Sequence, residues 1–169
     1  LLLLPAAAAQ WDPQNAQWGK THPDDVRVMT WNVKDNVCSS NAKGETAFGD
    51  WHAVARIIAS LKPDVLVLQE CGDNEGNGTG NGVDSQTTLA AVMDLFVRGG
   101  ADVFHAGAPP VTAFVRLYAP AYDLPYVFAS TSHDGFNRNG ILSRWPFGDL
   151  NGDTKSQYSD FTMIADKYA

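Results

Sequence analysis

Apolar and polar positions along this chain switch between two periods, and the order of the switches predicts an α/β domain. Residues 26–33 contain the run Arg27-Val28-Met29-Thr30-Trp31-Asn32, whose β-branched and aromatic members favour an extended chain; an Asn-rich stretch over 36–44 ends it. Trp51, Val54, Ile57, Ile58 and Leu61 then recur at spacings of three and four, which puts them on one helical face. Asp50 is the N-cap candidate and Pro63 the stop. Residues 64–69 return to a short, nearly all-apolar strand, so strand, helix and strand in succession predict a right-handed crossover between parallel neighbours. Leu89, Val92, Met93 and Phe96 mark a second helix over 85–98, stopped by Gly99-Gly100. Further strands are predicted at 111–117, 126–130 and 140–144, the first two separated by Pro120 and Pro125. There is no internal repeat.

Other stretches have no period. Residues 10–25, rich in Pro, Asn and Gln, read as an irregular arm leading into one domain over 26–169, and residues 72–82, dense in Gly, Asn and Asp, read as a rim or binding loop. Residues 1–9, four leucines followed by Pro5 and a run of alanines, match the end of a secretory signal with a small-residue cleavage site, so the expected location is secreted or extracytoplasmic. No stretch reaches the ~20 consecutive apolar residues that a membrane-spanning helix needs. In an exported protein the two cysteines, Cys38 and Cys71, are a disulfide candidate.

Charge narrows the partners. A net charge of −7 argues against broad, non-specific gripping of a long polyanion, and favours a compact phosphoester over extended nucleic acid.

The candidate chemistry sits at two strand ends. Asn32 closes the first strand and Glu70 follows the apolar run Leu66-Val67-Leu68-Gln69; if the strands are neighbours, an amide oxygen and a carboxylate converge on one rim. Both are hard donors suited to Mg2+, Mn2+ or Ca2+. Taken alone, a strand-end glutamate is more often an exposed rim residue or a salt-bridge partner than a metal ligand.

Three ordered blocks carry a resemblance. Met29-Thr30-Trp31-Asn32-Val33, then Lys62-Pro63-Asp64-Val65-Leu66-Val67-Leu68-Gln69-Glu70, then Asn139-Gly140-Ile141-Leu142-Ser143-Arg144-Trp145-Pro146-Phe147 resemble the endonuclease/exonuclease/phosphatase superfamily, with its deoxyribonuclease I-like layered α/β sandwich. The resemblance implies metal-site roles for Asn32 and Glu70. Two later family blocks, Gly-Asp-x-Asn and Ser-Asp-His, have no counterpart here; Gly148-Asp149-Leu150-Asn151 follows the third block too closely. The chain is therefore expected to hold the N-terminal portion of such a domain.

Two polar groupings complete the inventory. His133, Asp134, Asn137, Arg138 and Asn139 precede the last strand, Arg138 as a phosphate clamp and His133 as a proton shuttle, against the alternative of a solvated turn. Asp149, Asn151, Asp153 and Asp160 match the one, three, five and twelve positions of a calcium loop, although Thr154 replaces the usual glycine. The expected function is a secreted metal-dependent phosphoesterase acting on nucleic acid, a phospholipid head group or a small phosphoester. The alternative is a secreted non-catalytic binding module that keeps part of the scaffold and covers its open surfaces by self-association.

Overall fold

The apolar run after Pro63 forms a strand flanked on both sides, as its composition requires. The computed structural model describes residues 11–12, 17–18, 20, 22, 24–33, 37, 50–71, 85–102, 107–133 and 137–148. In chain order the elements are β1 (Trp11–Asp12), β2 (Gln17–Trp18), β3 (Val28–Asn32), α1 (Asp50–Leu61), β4 (Val65–Gln69), α2 (Gln86–Arg98), α3 (Phe114–Tyr118), β5 (Tyr126–Ala129) and β6 (Gly140–Ser143). Four strands form one mixed sheet in the order β3-β4-β6-β5. β3 and β4 are parallel, as the intervening helix α1 demands, whereas β6 runs antiparallel to both β4 and β5. The C-terminal ends of β3, β4 and β5 and the start of β6 therefore share one rim.

The core lies between one sheet face and the helices. Leu66 and Leu68 of β4, Leu142 of β6 and Ala129 of β5 are buried against α1 and α2, which contribute Trp51, Ile58, Leu89, Met93 and Phe96. Trp51 is the keystone: its ring meets Phe96 and Phe114 edge-on at 5.0 and 5.1 Å, and its indole N–H donates to the Val37 carbonyl at 3.1 Å. Helix α2 carries the expected glycine stop and, in addition, a serine N-cap. The Ser85 hydroxyl accepts from the Thr88 N–H at 3.0 Å, and Gly99, at φ +66°, ends the helix where a Cβ would lie 2.6 Å from the Ala113 nitrogen.

Three expectations are corrected. The 111–117 strand is absent: Val111 makes an isolated bridge to Gly100, and Phe114–Tyr118 is the short helix α3, with Phe114 and Val115 buried. Periodicity cannot separate helix from strand in so short an apolar run. The N-terminal arm is not wholly irregular, because β1 and β2 form a two-residue antiparallel ladder pairing Trp11 with Trp18. On α1, Ile57 is 41% exposed, and Ala55 and Ala59 take its place on the inner face, fitting small side chains where the helix lies close to its neighbours.

The second sheet face remains open to a large extent. Val28, Thr30 and Asn32 are exposed along β3, and the cross-strand row Val67, Ile141 and Phe128 is only half-buried. Besides the β1–β2 ladder, the described residues thus supply a four-stranded sheet and a helical layer of an α/β fold.

Candidate functional site at the sheet rim

The parallel register settles where the two predicted metal-site residues lie. Asn32 pairs with Gln69, the residue immediately before Glu70, and the Val33 N–H donates to the Gln69 carbonyl at 3.0 Å. Adjacent strands stand ~4.8 Å apart, so Asn32 and Glu70 arise from neighbouring backbone on the same rim.

The backbone at Glu70 changes the aim of its side chain. Strand alternation buries Leu66 and Leu68, and would send residue 70 to the same inner face. Instead Glu70 adopts a left-handed conformation at φ +53°; it stays half-exposed and Cys71 takes the buried place. A non-glycine residue held there costs on the order of 1–3 kcal/mol, and such strain concentrates at functional positions.

Backbone hydrogen bonds draw the polar cluster to the same rim. The Cys71 N–H donates to the Arg138 carbonyl at 3.1 Å, and the Ser130 N–H donates to the Asn139 carbonyl at 2.8 Å. Arg138 and Asn139 therefore lie beside Glu70 and the end of β5. Arg138 has a structural task there: its Nη1 donates to the carbonyls of Ser130 and Thr131 at 3.0 and 2.5 Å, which engages both Nη1 protons and braces the β5–β6 connection. His133 is exposed just beyond β5, and the Asn139 side chain is exposed at the start of β6. Gln69 reaches back across the open face to donate to the Thr30 hydroxyl at 2.8 Å.

Beside this rim, on the open sheet face, lies a pocket of about 440 Å³ lined by Val67, Phe128, Ile141, Ser130, Thr131 and Asn139 among others. Its floor is apolar and its rim carries hydroxyls and an amide. Nothing along the chain signals it, because its walls come from three strands distant in sequence.

The donor set fits a hard cation. Glu70 offers a carboxylate and Asn32 an amide oxygen, and an ion of the magnesium type keeps several waters rather than demanding an all-protein cage. Among the described residues no group of three or more His, Cys, Asp or Glu comes together, so a two-residue set would be completed by water and substrate oxygens. The Cys71 sulfur stands 3.2 Å from the Arg138 carbonyl, while Cys38, its candidate disulfide partner, lies outside the described residues. Residues 1–9, the 72–82 loop, Asp134 and the candidate calcium ligands Asp149, Asn151, Asp153 and Asp160 also lie outside them.

Asp64, at the other end of β4, is the charged residue whose role sequence reasoning missed. Fully buried, it accepts from Lys20 Nζ at 2.6 Å, Arg144 Nη1 at 2.8 Å and the Arg27 N–H at 2.8 Å. Burial pushes its carboxyl pKa up, but the hydrogen bonds from Lys20, the Arg27 backbone and Arg144 outweigh that and hold it below the ordinary value. Next to it the Tyr122 hydroxyl donates to the Pro63 carbonyl at 2.5 Å; burial, then the Asp64 charge, raise its pKa. The Lys-Pro-Asp block was the available signal, though nothing in it identifies Lys20 or Arg144 as partners.

No curated protein and no solved structure matches the chain. The family model described as the Endonuclease/Exonuclease/phosphatase family matches residues 29–166, a span that holds both strand ends of the rim and the start of β6. With that match over most of its 169 residues, the chain belongs to the Endonuclease/Exonuclease/phosphatase family, a family of phosphoester hydrolases.

Proposed function

We propose that the protein is a secreted, divalent-metal-dependent phosphoesterase whose site is the rim formed by Asn32 and Glu70. The observation that carries this is the β3–β4 register, which sets Asn32 beside Gln69 and Glu70 directly after it, in a family of phosphoester hydrolases. Glu70 would hold the ion through its carboxylate, and Asn32 would orient a water or a phosphate oxygen through its amide. A bound divalent ion supplies positive charge for the phosphate oxygens and acidifies a water. Mg2+ is the expected occupant, with Mn2+ and Ca2+ as substitutes.

The chain's own groups do the remaining work. The left-handed turn at Glu70 keeps its carboxylate out of the core, and Arg138 braces the neighbouring connection so that the Asn139 amide stays on the rim. His133, just past β5, is the proposed proton carrier. The pocket on Val67, Phe128 and Ile141 would receive the organic part of the ester. Its size and the net charge of −7 favour a phospholipid head group or a small phosphoester over long nucleic acid.

The test is magnesium-dependent hydrolysis of bis(4-nitrophenyl) phosphate and of 4-nitrophenyl phosphate by the purified protein. Turnover of either should fall at least ~100-fold in Glu70→Ala, while circular dichroism stays that of the parent. Equal turnover by parent and variant removes Glu70 from the chemistry. A parent with no turnover on either ester, and no magnesium binding, favours the non-catalytic module.

A further inference from the structure

We infer that the opposite end of the sheet carries a second, non-catalytic site, for a small molecule bearing a phosphate or a similar doubly charged oxyanion. A cleft of about 750 Å³ opens there, between the end of α1 and the segment after α3, and its lining includes Lys20, Arg27, Lys62 and Arg144 with Tyr118 and Tyr122. Among the described residues no carboxylate lines it. In a chain with 19 acidic and 12 basic residues, four cations gathered around one cleft run against the average composition. Such focusing is what raises the local concentration of an anion.

Among the described residues the charge around the cleft is net positive. Asp64 lies buried beneath it and neutralises one positive charge, shared between Lys20 and Arg144. Asp24 and Asp25 belong to an adjoining hollow, which Lys20 and Arg144 also line. Arg27 and Lys62 stand in the cleft and not in that hollow. Arg27 directs Nη1 to the Leu61 carbonyl at the end of α1, which fixes its head group. Lys62 is exposed and has no ion pair among the described residues.

The backbone at Lys62 adds a second observation. Its φ is +47°, its N–H donates to the Ile58 carbonyl at 2.7 Å, and Pro63 follows. A left-handed position closing a helix normally falls to glycine or asparagine, yet a lysine occupies it here. Among the described non-glycine residues only Lys62 and Glu70 have positive φ, one at each end of β4. The cleft volume suits a drug-sized ligand, within the usual ~300–1,000 Å³, and the wall of Tyr118, Pro120 and Tyr122 would meet its apolar part.

The experiment is calorimetric titration of the purified protein with pyrophosphate and with adenosine monophosphate, in EDTA, so that no divalent ion contributes at the far rim. Lys62→Asn removes the charge while supplying a residue that tolerates the left-handed backbone. At least one probe should bind the parent, Lys62→Asn should weaken it at least ~10-fold, and Glu70→Gln should leave it unchanged. Tighter pyrophosphate identifies an inorganic oxyanion as the preferred ligand class, and tighter adenosine monophosphate an organic phosphate resting on the tyrosine wall. The inference is overturned if neither probe binds, if Lys62→Asn binds as the parent does, or if Glu70→Gln abolishes binding. A thermal midpoint for Lys62→Asn no lower than the parent's confirms that the variant is folded.

Discussion

The two ends of β4 carry acids in opposite circumstances. At its start Asp64 is fully buried, takes hydrogen bonds from two cations and a backbone N–H, and ties together the Lys20 arm, the beginning of β3 and the end of β6. At its finish Glu70 is half-exposed on a rim, held out of the core by a strained backbone. One acid is consumed by the fold; the other is presented by it. A carboxylate that already satisfies three donors has little to offer a ligand, whereas one kept at the surface at a cost in backbone strain is placed for chemistry.

The largest effect that separates the two ends is on turnover. Glu70→Gln should reduce magnesium-dependent hydrolysis at least ~100-fold, whereas Asp64→Asn should leave the rate per folded molecule within about twofold of the parent. Equal losses in both would erase the distinction. On stability the order reverses. Asp64→Asn should cost about 2–3 kcal/mol by urea denaturation, below the ~3–5 of a fully buried pair because Lys20 and Arg144 are partly exposed and regain water.

Acid should act on the same end. The folded-state pKa of Asp64 lies below its ordinary 3.8, so its stabilisation is complete above that value and is lost as pH falls through the lower, folded value. In Asp64→Asn the acid limb of the stability profile should flatten; an unchanged limb would show that other carboxylates govern it. The smallest effect is the most pointed. Glu70→Gly should raise stability by ~1 kcal/mol while abolishing turnover, because glycine accepts the left-handed conformation without the Cβ clash. A destabilised Glu70→Gly would mean that the side chain supports the fold.

Much of this frame was legible beforehand. β3, β4 and β6 and the two long helices follow from period, β-branching and end signals such as Pro63 and Gly99, and the parallel pairing of β3 with β4 follows from the helix between them. The bringing together of Asn32 and Glu70 on one rim needed only that pairing, whereas Asn139 reaches it through the antiparallel pairing of β6 with β4. Other features depend on quantities that a sequence does not carry. Phe114–Tyr118 is too short an apolar run to show its period, so the pattern over 111–117 points to a strand where a helix forms. The re-aiming of Glu70 rests on one backbone angle. The Asp64 network joins residues from three separate stretches, with Arg144 80 positions away in the chain, and the Arg138 guanidinium proves to brace backbone carbonyls.

The central claim, that Asn32 and Glu70 jointly hold a divalent ion, is tested most directly by titrating the purified protein with Mn2+ and following free ion by electron paramagnetic resonance. The account predicts a site in the parent whose affinity falls at least ~10-fold in Glu70→Gln and by a smaller factor in Asn32→Ala. Equal Mn2+ affinity in the parent and both variants would contradict it.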